Sequence, residues 1–222
     1  MSRVYAAGLA AVAWFAVILQ LVLSVEQAVA AGQGAAHGIW MYFAFFTIVT
    51  NLAVALTLAL PLLAAGAVAG RFFAHPHVVT CMTASIAVVS IVYNVLLRDL
   101  WHPHGWQLLA DVLMHDAVPP LFTVYWWLAV PGGSLAWRAL ATMCIYPIVY
   151  FFYALARGAA THFYPYPFLD VAHLGYWRVL GNGIGMLAGY VALAALLIAL
   201  KRAEPQAKKD LRTRTSSSGS VG

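Results

Sequence analysis

The 222 residues are 64% hydrophobic and only 9% charged, with twelve Lys and Arg against seven Asp and Glu for a formal charge of +5. A soluble chain is closer to half apolar and a quarter charged, so lipid rather than water is the solvent for most of this one, and a soluble globular enzyme is excluded. Six of the cations lie between Lys201 and Arg214, where they read as a topology and anionic-lipid signal; no nucleic-acid motif accompanies them.

In chain order, apolar runs cover Val4 to Val25, Ile39 to Ala65, Val78 to Leu97, Trp106 to Val130, Leu135 to Leu155 and Gly175 to Leu200. Each is long enough to cross the hydrocarbon layer as a tilted helix, and none has the short alternating pattern of a barrel strand. The expected fold is all-α: a polytopic bundle of six transmembrane helices over residues 1–200, then a basic, disordered cytoplasmic tail over 201–222. The first run has Arg3 ahead of it and Ala28-Val29-Ala30 behind it, as a signal peptide would. It exceeds the roughly 7 to 15 apolar residues of such a segment, and reads as a retained helix. Cys81 and Cys144 lie inside apolar runs without a partner at metal or redox spacing and are expected as buried free thiols.

The loops sort into two sets. One, with the termini, holds nine of the Lys and Arg; the other holds Arg98, Arg157 and Arg178, so the positive-inside rule places both termini in the cytoplasm. Five acids (Glu26, Asp99, Asp111, Asp116 and Asp170) and six of the eight histidines fall toward the opposite side, so chemistry is expected there. Buried ionisable groups in a membrane are costly and mark functional sites or structural pairs.

At about 1.5 Å of rise per residue, Thr47 and His115 lie roughly 12 and 13 to 14 Å inward from the outer ends of their runs, at one level. Asn182 and Asn94 follow at about 10 and 6 Å. Thr47, Thr50 and Asn51 share one helix face, as do Asp111 and His115, whereas Asp116 lies about 100° around from His115. Structural bonding between helices accounts for a single Thr or Asn; an acid and an imidazole together at such depth need partners. The Tyr164-to-Asp170 segment, with Pro165 and Pro167, reads as a rigid loop with aromatics at the headgroup level, and Arg98-Asp99 as an interfacial ion pair.

Phe45-Phe46-Thr47, Met114-His115 with Val118-Pro119-Pro120, and Tyr166-Pro167-Phe168-Leu169-Asp170 occur in an order and spacing that resembles the androgen-induced-protein family of membrane threonine hydrolases and its six-span bacterial relatives. The resemblance covers most of residues 37 to 190. It implies hydrolysis of lipid esters, notably fatty acid esters of hydroxy fatty acids, by Thr47 and His115 within the membrane. Asp116 after His115, and Thr50-Asn51 after Thr47, depart from the animal members.

On this reading His115 is the base for a Thr47 nucleophile, Asp111 or Asp116 orients the imidazole, and Asn51, Asn94 and Asn182 are candidate oxyanion donors. No cofactor is required, and membrane lipids are both solvent and substrate. Two alternatives stand beside it. One is a zinc hydrolase using His102, His104, His115, Asp111 or His173; the other is a small transporter or sensor relaying protons through buried Asp and His.

Overall fold

The computed structural model describes residues 3–218, with side chains through Glu204, and those residues form an all-α bundle without a strand. Its helices are α1 (Arg3–Ala30), α2 (Ala35–Tyr42), α3 (Phe46–Leu63), α4 (Val68–Phe73), α5 (Pro76–Val92), α6 (Trp106–Val112), α7 (Val118–Ala129), α8 (Ala139–Met143), α9 (Ile145–Thr161) and α10 (Val171–Ser218). A π-helical turn at Tyr93–Leu97 prolongs α5, and a second at Leu113–Ala117 joins α6 to α7.

Five stretches are long and apolar enough to cross a membrane: Arg3–Ala30, Phe46–Leu63, Pro76–Leu100, Ala139–Thr161 and Val171–Glu204. The fourth expected span is also continuous helix, from Trp106 to Ala129, about 36 Å long by the helical rise. It is less apolar than the other five because Asp111, His115 and Asp116 lie inside it.

The core shows why α1 is part of the fold. Ala6, Leu9, Ala10, Ala13, Ala16 and Val17 recur every three or four residues and are all buried, a small-residue stripe that lets neighbouring helices approach closely. Leu58 of α3, Ile86 of α5, and Phe122 and Trp126 of α7 pack into the same cluster. Thr57, Thr80, Thr83 and Ser85 are fully buried there, and each returns its hydroxyl to the carbonyl four residues earlier. Cys81 is buried and Cys144 half-buried, both as free thiols.

Three features differ from the sequence expectation. The second expected span is broken, because Phe43 to Phe45 leave the helix between α2 and α3. Tyr150 and Tyr153 of α9 donate to the carbonyls of Ala44 (2.8 Å) and Phe43 (3.1 Å), supplying at the break the donors that hydrocarbon cannot. The sixth span is continuous over the expected run but is preceded by one extra helical turn: Gly175, at φ 73° and ψ 159°, separates that turn from the long remainder of α10.

The third concerns the boundary at residue 200: α10 runs on as helix through Ser218, across the start of the expected tail. Residues 219–222 of that expected tail lie outside the described residues. Lys201 is only 1% exposed: its Nζ caps the end of α7 at the Trp127 carbonyl (2.7 Å) and pairs with Glu204 (2.9 Å). Its neighbour Arg202 reaches the Leu135 carbonyl at 3.1 Å. Two of the six tail cations thus fasten the bundle.

Candidate active site

The π turn that carries His115 follows from two prolines. Pro119 and Pro120 have no N–H to give the preceding turn, so carbonyls at its end lose their helical donors. Side chains from two other helices replace them. Ser90 Oγ donates to the His115 carbonyl at 2.7 Å, and Asn51 Nδ2 to the Met114 carbonyl at 3.4 Å. π turns of this kind recur at functional sites.

His115 itself is 6% exposed, as is Asp111 one turn earlier. Its Nδ1 lies 2.9 Å from the Asp111 carbonyl oxygen and 3.2 Å from Asp111 Oδ1. Both atoms only accept, so Nδ1 carries the proton and Nε2 keeps the lone pair that a base needs. Tyr93 lies flat on the imidazole, with ring centroids 3.7 Å apart and 14° between planes, and donates its hydroxyl to Asp111 Oδ2 at 2.6 Å. The one-turn pairing of Asp111 with His115 was legible in the sequence. Tyr93 was missed, although Ser90, Asn94 and Leu97 at helical spacing around it outlined a part-polar face.

Thr47 lies in the first turn of α3, immediately after the break. Its backbone N–H, which has no helical acceptor at that position, points to the Tyr166 hydroxyl at 3.3 Å. Tyr166, which the Tyr-Pro motif suggested as a headgroup-level aromatic, thus bonds to the start of α3 inside the bundle. Its ring sits edge-on to Phe45 and stacks on Phe168, and the loop that carries it is held by the Tyr164 ring, which occupies the space a side chain at Gly158 would take. Contact across the bundle put it there, which helical periodicity cannot report.

Thr47, Asp111, His115, Tyr93 and Tyr166 all line one cavity of about 900 Å³. Its lining includes the exposed Gln33, His37, Leu100 and Trp101, at the end of the bundle away from residue 3, α4 and Lys201, and there it opens. One wall is an amide ladder: Gln107 donates to Gln20 at 2.7 Å and accepts from Gln27 at 3.2 Å. Behind Thr47 lies a second, smaller cavity of about 350 Å³, lined almost wholly by aliphatic and aromatic side chains of α5, α9 and α10. Thr47, Tyr93, Leu97 and Tyr166 belong to the walls of both.

The remaining candidates fall elsewhere. Asn51 is fully buried and lines neither cavity; its amide nitrogen bridges the carbonyls of Thr47 (2.9 Å) and Met114 (3.4 Å), fastening the Thr47 turn to the residue before His115. Asp116 does not hydrogen-bond the imidazole. Arg98 Nη2 reaches both its oxygens, at 2.6 and 2.7 Å, and Asn94 donates to it at 3.0 Å, so Arg98 pairs across helices rather than with Asp99. Asn182 donates to the Phe168 carbonyl at 2.9 Å and holds the Tyr166 loop from outside. Asp116 lies off the His115 face, as its position next to His115 in a helix implies, and interhelical packing claims all three asparagines, which the spacing of one helix does not show.

Asp170 caps α10, accepting from the Ala172 and His173 amides at 2.9 and 3.2 Å and pairing with His173 Nδ1 at 2.6 Å. The bond from the His173 ring, with the two amides, holds its carboxyl below the usual range. No group of three or more His, Cys, Asp or Glu converges as a metal site among the described residues, so the zinc reading lacks a ligand set. No family model, curated protein or solved structure matches the chain.

Proposed function

We propose that this protein is an intramembrane lipid-ester hydrolase with Thr47 as nucleophile and His115 as general base. One observation carries the reading: the hydroxyl-bearing Thr47 and an imidazole of fixed tautomer face the same cavity, on helices joined next to both residues by Asn51. A threonine hydroxyl is a weak nucleophile unless a base takes its proton.

In the first step His115 Nε2 takes the Thr47 proton as Oγ attacks the ester carbonyl. The tetrahedral intermediate collapses, the carbon–oxygen bond to the alcohol breaks, and His115 returns the proton to the departing alkoxide. Water, deprotonated by the same nitrogen, then attacks the acyl-threonine, releasing the fatty acid and restoring the hydroxyl. Asp111 and Tyr93 hold the imidazole and stabilise it when protonated, as the acid of a triad does. The oxyanion donor is the Tyr166 hydroxyl, which accepts from Thr47 N–H and keeps its own proton to give. Asn51, Asn94 and Asn182, each bound elsewhere, are not needed for that task.

Fatty acid esters of hydroxy fatty acids, the class implied by the family resemblance, are the proposed substrates. By the charge bias of the loops the cavity mouth faces away from the cytoplasm, toward the outer leaflet. In detergent or vesicles, Thr47→Ala should abolish covalent labelling by a fluorophosphonate probe. His115→Ala should lower labelling and ester turnover together, by about 10²- to 10⁴-fold. Helix content should survive both changes, and full turnover in folded Thr47→Ala would overturn the reading.

The broken α2–α3 and α10 helices and the buried Asp111 favour one second reading, a transporter or sensor. Solute flux into proteoliposomes without ester cleavage would establish it instead.

A further inference from the structure

From the two cavities that meet at Thr47 we infer how an ester lies in the site. Its acyl chain occupies the apolar cavity and reaches it from the bilayer between α9 and α10, while its alcohol portion occupies the polar one. This rests on Thr47 being the nucleophile and His115 the base.

The chemistry orients the substrate. The alkoxide leaves only as it takes a proton from His115, so the alcohol oxygen must stand on the side of the imidazole. His115 and Asp111 line the polar cavity and not the apolar one. The acyl carbon bonded to Thr47 Oγ must then carry its chain the other way, past Leu97 and Tyr166, into the space walled by Val88, Phe151 and Leu187. The amide ladder of Gln20, Gln27 and Gln107 supplies hydrogen bonds to a polar alcohol portion and none that an alkyl chain could use.

The entry route follows from exposure. Ile184 and Phe152 line the apolar cavity and are 70% and 60% exposed on the side of the bundle, at the depth of the apolar spans where lipid surrounds it. Gly183 lets the Phe151 ring rest against α10, since a Cβ there would lie 2.6 Å from the ring, and this contact frames the opening. A chain passing from lipid into this cavity exchanges one apolar surrounding for another. Selection for chain length is therefore weak, and a long tail extends through the opening into the membrane.

The test uses the full-length protein in vesicles and an alkylphosphonofluoridate whose long alkyl chain ends in a photoreactive diazirine. Fluoride leaves in place of the alcohol, so the alkyl chain stands for the acyl chain. Attachment at Thr47 followed by crosslinks to Ile148, Phe152, Leu180 or Ile184 is the expected result. Attachment at Thr47 with crosslinks to Gln20, Ser24 or Gln107 would overturn the orientation and leave the nucleophile standing. No attachment at Thr47 would remove both. Independently, Ile184→Trp should lower the ratio of long-chain to short-chain ester turnover by about tenfold, by filling the opening; an unchanged ratio counts against lateral entry.

Discussion

The two ends of this bundle handle polar groups in opposite ways. At the end bearing the termini, the buried Thr57, Thr80 and Thr83 hydroxyls all donate within their own helices, Thr80 also accepting from Trp126 Nε1, and Lys201 closes the end of α7. At the other end the helices break at Phe43–Phe45, bulge at Leu113–Ala117 and bulge again at Tyr93–Leu97, and their polar groups bond from helix to helix around a cavity. A regular helix satisfies its own backbone and has nothing left to offer a ligand. Irregular backbone in a membrane survives only where other protein groups or a water-filled space complete it. The two ends are thus built from the same residue types in different geometry.

That contrast can be broken by substitution. The largest effect expected in the cavity is from Asp111→Asn, which removes the charge beside His115 Nδ1 and leaves one accepting oxygen where His115 Nδ1–H and Tyr93 O–H each had their own. Ester turnover should fall about 10²-fold with little change in melting temperature, less than the loss of a whole triad acid because the Asp111 carbonyl still orients the ring. Asp116→Asn, measured alongside, should stay within about threefold of wild type, since its carboxylate serves Arg98.

At the opposite end Lys201→Met should do the reverse. It strands the Trp127 carbonyl and removes the Lys201–Glu204 ion pair, so thermal unfolding in detergent should report a loss of about 2 kcal/mol with turnover within twofold of wild type. A turnover loss matching the stability loss would show that the ends are not separable.

Asn51→Ala tests the link between the two active helices. Losing its bridge should cut turnover about tenfold through misplacement of Thr47 against His115, and lower the melting temperature as well. Unaltered turnover would mean that the α3 break positions Thr47 unaided.

The smallest effect concerns Asp170. Its carboxyl is held below its unfolded value of about 3.9, so its stabilisation is present above that pH and is lost as pH falls through the lower folded value. Wild-type melting temperature should therefore fall more steeply than that of Asp170→Asn below about pH 4, because the amide caps α10 without titrating. Parallel acid profiles would exclude this contribution.

Much of this was open to a reader of the residues alone. Apolar runs too long for anything but membrane helices set the all-α bundle, because an unpaired backbone cannot cross hydrocarbon. The four-residue spacing of Asp111 and His115 put acid and imidazole together, because residues one turn apart share a helix face. Counting inward put Thr47 and His115 at one level along helices taken as unbroken; the helix breaks at Phe43–Phe45, and what unites the two residues is the shared cavity. What the sequence left undetermined depends on contacts between helices. The break before Thr47 exists because Tyr150 and Tyr153 complete it from α9. Tyr93 and Tyr166 reach the cavity because rings from the α5 segment and the Tyr-Pro loop pack inward, and Asp116 belongs to Arg98 because the turn after α5 presents that guanidinium to it. Periodicity describes one helix at a time, whereas each of these positions is fixed by the side chain that a neighbouring helix presents.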